Sequence, residues 1–496
     1  MLNVAKCKLW SPQGLLLDSS LPGVDWSSPK SVLGTPFGSD AALEQFLRDV
    51  RAKHHVLLQR LAKFPDPQVA LCLLRYCLGA QKINHLLRVL WTPSATTLAG
   101  DTEEDLRFTL DTIMGSCLPD SAWAQCCLPI RMGGFGIQNP TLTHSAAYFS
   151  SSLAEYSGAY SPTGETAEPS PALWSAAADL CQRTGCPVLS QWLALQSLPH
   201  ADQVVKDQLH AQQHWADKVH QSELKSLAAT LPLRDKVRLH SQSQEHAGAW
   251  LSVAPNNNLG THFDKGEYLL LLHFHLGLPL LPASAAGSPC DRCGQPLDVF
   301  GDHLVSCPHG GTWKRHNSLC SAIEAIAVAA GLRVRTEVAV QGRLRPADLA
   351  LSHWSGGRDA AVDPTVVHSL NPSIPWDLSQ SAVDRAEAAK HVKSDAPCAA
   401  ADMDFIPVAV DTFGAYGQEG HRFLSQLFSK YAKRHAGDRE VSYPGLLHAE
   451  CWQRVAVSLR KAVALQLSEA FLQAGGCWTG PFGGASGQGP TAVSGQ

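Results

Sequence analysis

Two aspartates carry the sharpest chemical signal in the chain. Arg345-Pro346-Ala347-Asp348 leads into an apolar run, and Asp363 follows Asp359-Ala360-Ala361-Val362 in the next. On neighbouring strands the two acids can together hold Mg²⁺, which prefers hard oxygen donors and keeps several waters. An ion held there polarises a scissile phosphate and stabilises the leaving oxygen. A lysine nearby would stabilise the charge that develops during cleavage. The position two residues beyond Asp363 is Thr365, so Lys390 is the candidate that can reach across. Glu337, upstream, offers a further carboxylate. Aspartates at strand ends commonly cap turns and helix lysines are commonly solvated, so spacing alone leaves a purely structural alternative open.

A second constellation precedes the acids. Cys290-Asp291-Arg292-Cys293 is followed by His303 and Cys307. Two thiolates on a tight turn reach one ion, and a His-x3-Cys pair closes a tetrahedron, the usual arrangement for structural Zn²⁺. Gly294, Gly301 and Pro308 supply turns, and His309 is an alternative to His303 as fourth ligand. A module this small is expected to be folded by its metal.

The whole chain has a net charge of -4, which excludes a globally basic nucleic-acid binder. Attraction to phosphate acts through patches, however, and Lys314, Arg315, Arg333, Arg335, Arg343 and Arg345 outnumber Glu324 and Glu337 locally. Lys314, Arg315 and Arg345 are the phosphate-contact candidates from this stretch.

The elements that must position these residues follow from periodicity. After the cysteines come a helix over 316–330, strands over 332–340, 347–352 and 359–367, a helix over 381–394, a strand over 405–410 and a helix over 419–434. That is the order of a small α/β nuclease core. Upstream the pattern is helical, over 41–61, 68–90, 142–156 and 204–231, with Asp66-Pro67 opening the second helix. Pro, Gly and Ser enrichment marks linkers at 157–172 and 282–289 and a tail from 475 expected to be disordered. No internal repeat is visible. A length of 496 residues with 45% hydrophobic and 17% charged residues suits a soluble multidomain protein.

Most of the 15 cysteines, such as Cys72, Cys77, Cys126 and Cys127, lie in apolar stretches and are expected to be free thiols in a reducing compartment. The opening residues lack the apolar run of a secretory signal. The greasiest run, 268–281, is short and contains His273, His275 and Pro279, so a buried element is expected and no membrane span.

On these residues the sequence resembles the C-terminal region of non-LTR retrotransposons that carry a restriction-like endonuclease. The resemblance runs through Cys-x2-Cys…His-x3-Cys, Arg315-His316-Asn317, Glu337, Arg345-Pro346-Ala347-Asp348, Asp363 and Lys390. It implies a zinc knuckle before a PD-(D/E)xK-type fold whose lysine has moved to the following helix. Asp348 and Asp363 would then bind metal, Lys390 would act in the transition state, and His316 joins the nucleic-acid contacts. Leu2-Asn3-Val4-Ala5-Lys6-Cys7-Lys8-Leu9-Trp10 resembles the strand after the catalytic turn of reverse transcriptase palms. Val32-Leu33-Gly34-Thr35-Pro36-Phe37-Gly38 is similar to the primer grip, and Leu128 to Ile137 to a segment after the thumb. There is no Tyr/Phe-x-Asp-Asp turn, so the chain is not expected to copy RNA, and it is read as a truncated element or an incomplete gene model. Pro364, directly after Asp363, is awkward inside a paired strand.

The expected organisation is therefore a multidomain chain with a mainly α-helical N-terminal half, a small zinc knuckle and an α/β restriction-endonuclease-like domain. It divides into a palm remnant at 1–38, thumb-like helices at 39–156, a helical connector at 157–281, the knuckle at 282–313, the endonuclease at 314–436, a C-terminal helix at 437–474 and the tail at 475–496. The expected function is Mg²⁺-dependent nicking of target DNA for target-primed reverse transcription, with structural Zn²⁺, DNA and element RNA as partners, no membrane, and a nuclear location implied by the resemblance. The alternatives are an inactive remnant that only binds nucleic acid through zinc and, more remotely, a helical interaction protein.

Overall fold

Residues 347–351 and 360–362 are nearly continuous in apolar side chains, the pattern of strands covered on both faces. In the computed structural model, which describes residues 31–32, 34–36, 39–158, 169–340, 344–373, 375–436 and 443–473, they are the two central strands of a mixed sheet. Ala347, Leu349, Ala350, Leu351, Ala360, Ala361 and Val362 are all buried.

The elements around them run α1 (Thr312–Ala329), β1 (Val334–Val340), β2 (Leu344–Ser355), β3 (Arg358–Val367), α2 (Ala382–Ala400), β4 (Met403–Asp411), α3 (Gln418–His435) and α4 (Pro444–Gln473). The sheet order is β1-β2-β3-β4. The first three strands form an antiparallel meander, whereas β4 pairs with β3 in parallel. A parallel pair needs a crossover, and α2 supplies it. α1 packs on β1 to β3 and α2 on β2 to β4. Under α2, Ala347, Ala350, Ala361, Cys398 and Met403 form one apolar cluster.

The expected element order from 316 to 434 matches this sheet and its helices. The chain as a whole is mainly helical with a small mixed four-stranded sheet. Its compact units, however, do not follow the expected boundaries at 156 and 281. The described residues within 1–64, 73–110 and 138–223 form one unit, and those within 65–72, 111–137 and 224–496 the other. The stretch 111–137 belongs with the second unit because its polar groups are satisfied there. Gln125 Nε2 donates to Gln242 Oε1 at 2.9 Å, Arg238 donates to Gln125, and His273 Nε2 lies 3.1 Å from the Met114 carbonyl.

In the first unit, Phe149, Leu153, Leu180, Leu189 and Trp215 form one core, and Leu47, Ile83, Leu86 and Leu98 another. The expected helix at 142–156 runs Pro140–Tyr156, capped by the Asn139 side chain, which accepts from Thr141 and Leu142. Two expected helices are broken. The one over 68–90 is interrupted at Gly79, where a Cβ would lie 2.4 Å from the Leu74 carbonyl oxygen. The one over 204–231 is divided into Ala201–Lys206 and Gln212–Thr230. The stretch from 268 begins inside the helix Lys265–Leu276, and no helix among the described residues is long and apolar enough to cross a membrane. The expected palm strand at 2–10 and the tail from 475 lie outside the described residues, as does most of the linker at 157–172.

Candidate functional site

The cysteine module is a hairpin followed by a short helix. Leu297 N–H donates to Ser288 and Cys290 N–H to Gln295, each at 2.8 Å, which closes the turn bearing Cys290 and Cys293. Gly294 and Gly301 take positive φ at the two reversals. The Asp298 carboxylate accepts from the N–H groups of Phe300, Asp302 and His303, capping the helix Asp302–Ser306 that carries His303 and leads to Cys307. One donor atom each from Cys290, Cys293, His303 and Cys307 lies within 4.8 Å of the others. His303, not His309, completes this set. Cys293 Sγ and His303 Nε2 are 3.3 Å apart, close to the edge of a tetrahedron built on Zn–S and Zn–N bonds of about 2.3 and 2.0 Å. Burial works against ionising Cys290, but N–H groups of Arg292 and Cys293 and the His303 ring outweigh it and bring the thiol down to about 7. Burial raises Cys307 to about 11. Three thiols and one imidazole gathered in this way fit a tetrahedral metal ion such as zinc.

The module does not stand alone. Leu304 and Val305 are buried, and Gln466 of α4 donates to the Leu304 carbonyl at 3.0 Å. The last helix thus braces a cysteine module that its size suggested would lack a core.

At the other site the register does the positioning. β2 and β3 pair at Leu349↔Val362. Continued by one residue, that register sets Asp348 opposite Asp363. The alternation of a strand puts Asp363 on the same face as Ala361, beneath α2. Lys390 on α2 donates to both Asp363 oxygens, at 2.8 and 3.0 Å. Asp348 and Asp363 lie close enough for each to alter the other's ionisation. The structure therefore brings Asp348, Asp363 and Lys390 to one point.

The two acids differ in how readily they ionise. Burial, with Asp348 adding to it, lifts Asp363 above the usual carboxylate range despite Lys390. Burial also opposes ionisation of Asp348, but His316, with help from Asp363 and Lys390, overcomes it and holds this group low. Carboxylates in contact cannot both ionise without cost, and a divalent cation removes that conflict. Carboxylate oxygens are donors of the hard type. Pro364 follows the β2-paired residue Val362 by two positions and stands opposite Val408 of the parallel neighbour β4.

The expected phosphate contacts fare differently. Arg315 is 3% exposed and donates to the Val305 carbonyl at 2.7 Å, so it cannot present itself to a phosphate. Lys314 Nζ lies 2.7 Å from Glu469 Oε2 on α4. Arg335 is bonded to Asp359 at 3.1 Å. Of that local positive charge, Arg315 is buried, Lys314 and Arg335 are paired with acids, Arg333 is exposed, and the side chains of Arg343 and Arg345 lie outside the described residues. His316 faces the acids, with Nε2 3.3 Å from Asp348 Oδ2. Its bond to Asp348, with a second from Cys320, raises the imidazole to about 10. The backbones at Glu337 and Arg345 lie in β1 and β2, but their side chains are outside the described residues.

A basic surface that sequence reasoning missed lies along α3. Arg422, Lys430 and Lys433 line an open groove of about 840 Å³ together with Trp354, Tyr416 and His421. Lys430 Nζ sits 5.1 Å from the Trp354 ring centroid. The amphipathic spacing of 422, 430 and 433 was visible in the sequence, but Trp354 comes from the far end of β2.

Comparison of the chain with protein-family models gives no match, and comparison with curated proteins gives none either.

Proposed function

We propose that this chain is a divalent-metal-dependent DNA endonuclease, the cutting module of a retrotransposon-type protein that nicks its target for target-primed reverse transcription. The observation that carries this reading is the meeting of Asp348, Asp363 and Lys390 at one end of the central strand pair.

Asp348 and Asp363 would hold Mg²⁺, which supplies Lewis-acid activation of the phosphate when bound. Lys390 pairs with Asp363 in the free protein, and its ammonium is placed where it would stabilise charge developing on a non-bridging phosphate oxygen. His316 steadies Asp348 from the opposite side. Arg422, Lys430 and Lys433 offer the phosphate-binding surface that Arg315 and Lys314 do not. Zn²⁺ at the four-donor cluster would be structural. DNA and the element's RNA as partners, and action in the nucleus, belong to the same reading.

One observation favours a second reading, a zinc-dependent nucleic-acid-binding protein that does not cut. His316 already pairs with Asp348 at 3.3 Å and can satisfy it without a metal. Nicking of supercoiled plasmid, with and without Mg²⁺, separates the two. Wild type is expected to nick only with Mg²⁺, while Asp348→Asn and Asp363→Asn bind DNA normally and do not cut. Equal, negligible nicking by all three with DNA binding retained would leave only the second reading.

A further inference from the structure

The Asp348 carboxylate borders two donor environments of different chemistry. Toward β3 it meets oxygen, from Asp363. Toward α1 it meets nitrogen and sulfur. His316 and Cys320 stand one turn apart on the same helix face, with His316 Nε2 3.5 Å from Cys320 Sγ and 3.3 Å from Asp348 Oδ2. One donor atom from each of the three lies within 4.8 Å of the other two. Zn–N, Zn–O and Zn–S bonds of about 2.0 to 2.3 Å put tetrahedral donors at roughly 3.3 Å for nitrogen and oxygen and about 3.5 Å for nitrogen and sulfur. The spacings in the protein already have these values, so an ion could enter with little movement. None of the three side chains is fully buried, which leaves a fourth position for water.

We propose that His316, Cys320 and Asp348 form a second metal site, selective for Zn²⁺ or a similar borderline ion, and that filling it withholds Asp348 from the nuclease centre. Imidazole and thiolate favour Zn²⁺ over Mg²⁺, whereas the oxygen pair at Asp348 and Asp363 favours the reverse. One carboxylate then serves two mutually exclusive ions, and zinc inhibits. The inhibitory part rests on the nuclease reading, but the binding part does not.

The test is a metal titration of the full chain, followed by equilibrium dialysis against Zn²⁺ and by the thiolate absorption of Co²⁺. Wild type is expected to hold two equivalents. Cys320→Ala and His316→Gln should each hold one, and Cys293→Ser should lose the knuckle equivalent while keeping the other. A single equivalent in wild type with the knuckle intact overturns the site, as does a second equivalent that survives both Cys320→Ala and His316→Gln. In the plasmid assay, added Zn²⁺ should suppress Mg²⁺-dependent nicking at least tenfold in wild type and leave Cys320→Ala active. Equal suppression in both would overturn the inhibitory role. If wild type holds two zinc ions but never nicks, the nuclease reading fails and the metal site stands.

Discussion

Lys390 donates to both oxygens of Asp363 from the helix that links β3 to β4, so the crossover that makes the parallel pair possible also delivers the cation to the acid.

If that ammonium acts on the developing charge, Lys390→Ala should lower the nicking rate by about 10² to 10³-fold, the usual loss for one stabilising donor. Metal content and DNA affinity should stay at wild-type levels. Single-turnover nicking at saturating DNA is the measurement, and normal turnover in this variant would move the role to Lys393 or elsewhere.

The groove along α3 makes a separable prediction. Alanine at Arg422, Lys430 and Lys433 together should weaken DNA binding regardless of sequence. Each lost phosphate contact should reduce the slope of log affinity against log salt by about 0.9. Cleavage at saturating DNA should be unchanged. Binding isotherms at several salt concentrations decide it, and an unaltered slope would remove the groove from the nucleic-acid path.

His246 gives a pH-dependent signature of stability. Its ring stacks on Trp452 at 4.1 Å, and burial, with repulsion from His421 and His448, outweighs Glu245 and lowers it to about 4. The unfolded chain takes up a proton near 6.5, before the folded one does, so stability falls as pH drops from about 6.5 to about 4 and levels off below that. His246→Asn tolerates the positive φ at this position and cannot titrate, so its urea midpoint should vary less than wild type across that window. Parallel pH curves for the two proteins would refute the assignment.

Arg460 should be among the most sensitive structural positions. It is 1% exposed, donates to the Thr412 carbonyl at 2.7 Å and to that of Phe413, and lies in the field of the buried Asp411. Arg460→Met would orphan both carbonyls and leave Asp411 with less compensation, at a cost of about 3 to 5 kcal/mol. Chemical denaturation of the full chain measures this; a loss under about 1 kcal/mol would mean the site relaxes or admits water.

The parts of this architecture that depend on local pattern were legible in the sequence. The apolar runs around Leu349 and Val362 marked the central strands, and Cys290-x2-Cys293 marked the cluster of four donors. Lys390 was legible only as a residue within reach, because the strand register that sets Asp348 opposite Asp363 is a tertiary property. Arg315 misled because a cation in a basic stretch has the same letter whether it meets solvent or a buried carbonyl. His316 and Asp348 are 32 positions apart, on a helix and a strand, and no periodicity links them. The break at Gly79 was equally hidden, since it depends on how closely the Leu74 carbonyl approaches.

The helix Pro444–Gln473 supplies Arg460 to the loop after β4, Gln466 to the Leu304 carbonyl in the cysteine module and Glu469 to Lys314. A ribosome makes this segment after every part it holds in place. Until it emerges, the Thr412 and Leu304 carbonyls lack their donors and the faces of α1 and α3 that it covers stay wet. Closure of the half that carries the Cys290, Cys293, His303 and Cys307 cluster is therefore a late event in synthesis, completed only once its last helix has been made.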